Sequence, residues 1–160
     1  MIYGKNKLTR KQILTEPVLL LAFGFGSGLA GRAPGTFGTL AAIPLYWLLV
    51  QGASWFYPAA TLLVCLAGIG ICGSAAERLG VHDHSGIVWD EIAGFLLTMA
   101  WVPFSWQAVI VGFLAFRFFD IIKPWPISYI DRVVEGGLGI MLDDVLAGLA
   151  AAAVLFLMDY

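Results

Sequence analysis

Residues 33–76 read APGTFGTLAAIPLYWLLVQGASWFYPAATLLVCLAGIGICGSAA, 44 consecutive positions without a charged side chain. A helix needs about 20 apolar residues to cross the roughly 30 Å of hydrocarbon in a bilayer, so this stretch has room for two. Gln51-Gly52-Ala53-Ser54 supplies a turn between them. Such a hairpin returns the chain to the side from which it set out.

Outside this stretch the segregation continues. Of the 20 charged residues, all but Asp159 fall in three windows: Lys5 to Arg32, Glu77 to Glu91, and Arg117 to Asp144. Another 25 uncharged residues (92–116) separate the second window from the third, and 14 (145–158) follow it. Charged residues are 12 % of the chain and hydrophobic ones 60 %, whereas a soluble domain spreads about a quarter of charged residues over its surface. The pattern predicts an all-α fold: a compact multi-helix integral membrane bundle of about five apolar helices, some short or hairpin-like. Polar loops and helix ends would gather on one face. At 160 residues the chain reads as one domain, residues 1–160. The net charge of -2 offers no basic stripe for nucleic acid. No protein partner is implied.

The 25-residue stretch admits two readings. As a single span it would carry the third window to the opposite side. As a hairpin folded near Pro103 and Ser105, its arms would run from Val88 to Val102 and from Gln107 to Ile122. The hairpin places all nine Lys and Arg residues on one side, which satisfies the positive-inside preference and makes that side cytoplasmic. Lys5, Lys7, Arg10 and Lys11 ahead of Val18 to Phe25 imitate a signal peptide. Glu16, Pro17 and the glycines at 24, 26 and 28 interrupt the apolar run, so the basic arm reads as a cytoplasmic flank.

Charge placed at helix ends near a membrane is expensive and marks functional candidates. Asp90-Glu91-Ile92-Ala93-Gly94 and Asp144-Val145-Leu146-Ala147-Gly148 share the pattern Asp-x-x-Ala-Gly, and each has a second carboxylate beside it, Glu91 and Asp143. One Asp at a helix start would serve as a cap; two acidic pairs exceed that need. The glycine four residues on shares a face with the Asp and permits close helix contact. Two helices packed there would bring four carboxylates together, whose repulsion calls for a cation. All-oxygen ligands select hard ions, and Mg²⁺ takes a few carboxylates while keeping waters for a phosphate substrate.

Other segments supply positive charge. Arg117, Asp120 and Lys123 recur every three residues, so the first two share a helix face, and Pro124 and Pro126 stop the helix. Arg32-Ala33-Pro34-Gly35-Thr36 puts a cation and a Gly/Thr turn at a helix start, where free N–H groups bind anions. His82-Asp83-His84 is either a solvated loop or a source of one ligand or proton carrier, His84.

Three other patterns lead elsewhere. Cys72 and Arg78 have the C-x5-R spacing of cysteine-dependent phosphatases, but Ile71 precedes the Cys and Glu77 would enter the anion loop. Gly24, Gly26 and Gly28 are not spaced as a dinucleotide fingerprint and lack βαβ context. Cys65 and Cys72 have no His or Cys company for a metal and read as small buried hydrophobes.

Taken together, the motifs resemble the phosphatidylglycerophosphatase A family over most of the chain. The resemblance rests on Gly26-Ser27-Gly28 with Arg32 to Thr39; on His82 to His84 through Ile87 to Glu91; and on Phe116 to Asp120 with Lys123 to Ile127. It is completed by Asp131-Arg132 with Gly136 to Asp144 and Ala147-Gly148. At Glu135 the chain departs from the pattern, since relatives often carry His there, and the position is assigned no role. The resemblance implies a multi-pass phosphatase of the bacterial inner membrane with a cytoplasmic active face. It would be Mg²⁺-dependent and convert phosphatidylglycerophosphate to phosphatidylglycerol and phosphate. Asp90, Glu91, Asp143 and Asp144, with Asp120, would hold the metal and activate water. Lys123, Arg32, Arg117, Thr36, Arg132 and His84 would hold the phosphate. An aspartyl-phosphate route stays open. So do a non-enzymatic cation-binding or transport protein and a soluble all-helical form, since the family has water-soluble relatives and some spans are short.

Overall fold

The structure is a computed structural model describing residues 9–81 and 84–160. Lys5 and Lys7 of the basic arm, and His82 and Asp83, lie outside the described residues. In chain order the helices are α1 (Arg10–Thr15), α2 (Pro17–Ala22), a 3-10 turn (Gly24–Leu29), α3 (Pro34–Leu49), α4 (Phe56–Leu79), α5 (Trp89–Thr98), α6 (Trp106–Ile122), α7 (Ile127–Val133) and α8 (Gly136–Leu157). No strand occurs among the described residues, so the fold is all-α as expected.

Local chemistry sets the boundaries. Thr9 and Gln12 form a capping box at α1, and the Glu16 carboxylate accepts the Leu19 N–H to start α2 beside Pro17. Ala33 turns the chain with a left-handed φ of 47° before Pro34 opens α3. Gly80, at φ 70°, ends α4 in the conformation glycine adopts without strain. Ser105 accepts the Ala108 N–H at 3.1 Å to begin α6. Pro124 cannot continue that helix, and Lys123 leaves it at φ 46°.

Among the described residues, two helices have the length and hydropathy a membrane crossing needs. They are α4, 24 residues at mean hydropathy 2.0, and α8, 22 residues at 2.1. The core helix of a soluble protein would be mostly buried, yet only 28 % of the apolar window of α4 is covered by the rest of the chain. Leu62, Leu63 and Leu66 all face outward. Exposed leucines on one long helix fit an apolar surrounding, and the chain associates with membrane. The ten residues of α5 extend only about 15 Å, half a bilayer core.

Helix α8 is the hub, packing against α4, α5, α6 and α7. One core cluster holds Tyr46, Phe95, Leu96, Met99, Phe116 and Leu155; a second holds Leu19, Phe23, Cys72, Ala75, Ile140 and Met141. Two polar side chains of the interior bridge helices: Tyr57 Oη donates to the Leu96 carbonyl, and Trp89 Nε1 donates to the Val64 carbonyl at 3.1 Å. Both bonds tie α4 to α5.

Candidate active site

Where α5 begins and α6 ends, the chain returns to one place. Asp90 and Glu91 lie in the first turn of α5 and Arg117, Asp120 and Lys123 at the end of α6, and all five line one cavity. Residues 92–116 therefore fold as the hairpin rather than the single span. The cavity, about 210 Å³, is completed by Ala33, Pro34 and Gly35 at the start of α3, by Ser85 and Ile87, and by Asp143 and Asp144 of α8.

Asp144 does not stand at a helix start. Because α8 begins at Gly136, the acidic pair sits two turns inside the helix, where an N-terminal cap has no function. It reaches the cavity because α5 and α8 cross at Gly94 and Gly148 with their backbones in contact, as a Cβ on either glycine would strike the opposing backbone. Thr98 Oγ1 secures the crossing by donating to the Gly94 and Gly148 carbonyls, at 3.0 and 3.3 Å.

The crossing assembles three carboxylates. Ligand oxygens of Asp90, Glu91 and Asp144 all lie within 4.8 Å of one another. Asp143 turns instead to Lys123, whose Nζ donates to Asp143 Oδ2 at 2.5 Å and to Asp131 Oδ1 at 2.6 Å. Arg117 pairs with Asp120 and approaches Glu91 Oε1 at 3.8 Å. Glu91 Oε2 and Asp143 Oδ1 are buried with no hydrogen-bond partner among the described residues, a cost that a bound cation would relieve.

Electrostatics follow the geometry. Burial pushes the Glu91 carboxyl up to about 8, and the charge of Asp144 adds to it. Burial acts to lower the Lys123 ammonium, but its hydrogen bonds to Asp131 and Asp143 outweigh that and raise it above the ordinary lysine value. Five carboxylates and two cations line the cavity, which leaves three negative charges when all are ionised. Three converging carboxylates and an orphaned oxygen suit a hard, oxygen-loving divalent cation.

Four residues expected to hold phosphate do not line the cavity. Arg32 is exposed, one residue before the lining Ala33, and Thr36 is half-buried, one residue past the lining Gly35. Arg132 is exposed on α7, its Nε donating to the Ser128 carbonyl at 2.9 Å. His84 Nδ1 accepts the Gly86 N–H at 3.0 Å and its ring lies 5.6 Å from Phe23. Conversely, Ser85, Ile87 and Gly35 were not assigned roles from sequence. Gly35 carries a readable signal, because a Cβ there would collide with Glu91 Oε1 and stand 3.0 Å from Arg117 Nη1.

The cysteine-phosphatase alternative fails on geometry. Residues 72–78 run as continuous α4 helix, so no anion loop forms. Cys72 is fully buried, its thiol 3.8 Å from Met141 Sδ, and Arg78 pairs with Glu16.

Comparison with known proteins agrees with the motif pattern. The family model described as Phosphatidylglycerophosphatase A matches residues 20–159. A phosphatidylglycerophosphatase A of Escherichia coli (strain K12) is 45 % identical over 149 residues, covering 92 % of this chain and 86 % of that one. One of Haemophilus influenzae is 45 % identical over 159 residues, covering 98 % and 97 %. A Bacteroides thetaiotaomicron protein with the provisional name phosphatidylinositol-3-phosphatase is 40 % identical over 139 residues, covering 81 % and 86 %. No solved structure matches the chain.

Proposed function

The chain belongs to the phosphatidylglycerophosphatase A family and is a phosphatase; we propose that it hydrolyses the terminal phosphate of phosphatidylglycerophosphate in the carboxylate cavity with Mg²⁺ as cofactor. The charge of the cavity is the observation that carries the cation. Five carboxylates face two cations there, and a phosphate monoester entering that field alone would be repelled.

Asp90, Glu91 and Asp144 would hold Mg²⁺, with Asp143 and Asp120 close by. Bound there, the ion would supply Lewis-acid chemistry, offsetting charge on the phosphoryl oxygens and lowering the pKa of a bound water. The chain's own residues do the rest. Arg117 holds Asp120 in place and lies beside Glu91, keeping those carboxylates aimed at the cavity. Lys123, also in the cavity lining, would present a positive charge to an incoming phosphoryl group. Arg32, exposed beside the lining Ala33, would help to hold the phosphate as it enters. Thr36, Arg132 and His84, which do not line the cavity, would act on binding rather than on chemistry.

A multi-pass location in the bacterial inner membrane, with residues 1–160 as one domain and the cavity facing the cytoplasm, completes the reading. The bacterial relatives, the outward leucines of α4 and the one-sided basic residues support it. A transport site would need ionisable groups along a path through the spans; residues 33–76, 92–116 and 145–158 carry no charged side chain.

Phosphate release in detergent micelles tests the proposal. Wild type with Mg²⁺ should release phosphate from phosphatidylglycerophosphate, and EDTA or Asp144→Asn should stop it. Undiminished activity in EDTA would overturn the metal reading. Because one relative bears a phosphoinositide phosphatase name, phosphatidylinositol 3-phosphate belongs beside it; faster release from that lipid would replace the substrate.

A further inference from the structure

We infer that Asp131, on α7, is a positioning residue that aims Lys123 at the phosphate. The inference rests on reading the cavity as a phosphate site.

An unrestrained lysine is a poor aiming device. Its ammonium has three equivalent donors on a flexible four-carbon stem, and holding it in one geometry costs side-chain entropy. Here two of the donors are already committed. Asp143 Oδ2, on α8, takes one at 2.5 Å, and Asp131 Oδ1, on α7, takes another at 2.6 Å. With both made, the ammonium cannot turn about its last bond, and one N–H remains for a ligand in the cavity that Lys123 lines.

The two carboxylates play different parts. Asp143 shares the cavity wall and its side chain is 10 % exposed, whereas Asp131 stands behind the lysine at 39 % exposed and does not line the cavity. Asp131 therefore touches the lysine and no ligand. Its position is set by α7, which packs along α8. The backbone contributes as well: Lys123 leaves α6 in a left-handed conformation, its N–H on the Phe119 carbonyl at 2.8 Å. Without Asp131 the ammonium would collapse onto Asp143 alone, leaving its remaining donors unaimed.

The test is a double-mutant cycle in detergent with Asp131→Ala, Lys123→Ala and the pair, using Asp131→Asn as a variant of unchanged size. Michaelis constants for phosphatidylglycerophosphate and the binding of inorganic phosphate by titration calorimetry are both read. Asp131→Ala should raise KM and weaken phosphate binding roughly tenfold with kcat little changed, and add nothing in the Lys123→Ala background. Asp131→Glu should recover part of the loss. A purely structural role would lower kcat through lost folded enzyme and leave KM alone, which overturns the inference. So would effects of Asp131 and Lys123 that simply multiply. An inactive wild type in which the phosphate-binding cycle still shows coupling would remove the substrate assignment and keep the lysine–aspartate relation. If wild type shows neither turnover nor phosphate binding, both fall.

Discussion

A methyl group on Gly148 would stand 2.5 Å from the carbonyl oxygen of Gly94, so α5 and α8 touch backbone to backbone here. Asp90 and Asp144 each lie four residues before one of these glycines, on the same helix faces. The glycine contact thus sets the distance between two carboxylates a turn away. Gly148→Ala must push the helices apart, and overpacking of this kind costs about 1–3 kcal/mol. Activity should fall further than stability, because the carboxylates part as the helices do. Thermal unfolding in detergent, paired with phosphate release at a temperature where the variant is folded, checks this; full activity in a folded Gly148→Ala would show that the crossing does not control the site.

Asp144 is 2 % exposed and sits with Asp90 and Glu91 in the three-carboxylate group. Asp144→Asn keeps the shape and removes one charge. Loss of a direct ligand should exceed the roughly 10–100-fold that loss of a ligand's supporting partner costs. Raising Mg²⁺ should restore part of it if the variant binds the ion weakly. A Mg²⁺ titration of activity in both proteins distinguishes these: an unchanged half-saturating concentration would place Asp144 outside the metal site.

Much of this was legible in the sequence because its signals are local. Charge segregation predicts the apolar hairpins, and the repeated Asp-x-x-Ala-Gly predicts two helices joined at glycines beside their carboxylates. Helix boundaries were harder. The acidic pair ahead of the uncharged residues 145–158 reads as a helix start near Val145, whereas α8 begins at Gly136; packing of Gly137 against α4 overrides the low helix propensity of glycine. The partition of the charged groups was not readable. Asp143 and Asp144 are adjacent, yet one faces Lys123 and the other faces Glu91, a division set by neighbours far away in sequence. Asp131 stands in the last motif of the resemblance, but nothing local ties it to Lys123, eight residues away across the turn at Pro124.

Cys72→Ser tests the thiol alternative directly. The side chain is fully buried against Met141 within a continuous helix, and the cavity lining does not include it. Activity should stay within about twofold of wild type while stability drops by about 1 kcal/mol, as for a modest core change. In a Cys65→Ala background, needed because Cys65 is only half-buried, folded enzyme should also resist alkylating reagents until it unfolds. Rapid inactivation by iodoacetamide in the folded state would reopen the cysteine mechanism.

The last prediction concerns what surrounds α4. Leu66 is 58 % exposed near the middle of the helix, and its neighbours Leu62 and Leu63 are exposed too. In water, Leu66→Arg would be a surface change within about 0.5 kcal/mol. At the centre of a membrane helix the same arginine costs about 2.5–3.5 kcal/mol on insertion scales. The two settings therefore differ in the size of the effect. Wild type should remain in the pellet after alkaline carbonate, and Leu66→Arg should reduce the yield of membrane-inserted protein severalfold. Lys substituted at Glu77, exposed in the last turn of α4, should leave that yield unchanged and serves as the control for added positive charge. If Leu66→Arg accumulates to wild-type levels and carbonate releases both proteins, the outward leucines meet a protein partner or water, and α4 does not cross a bilayer.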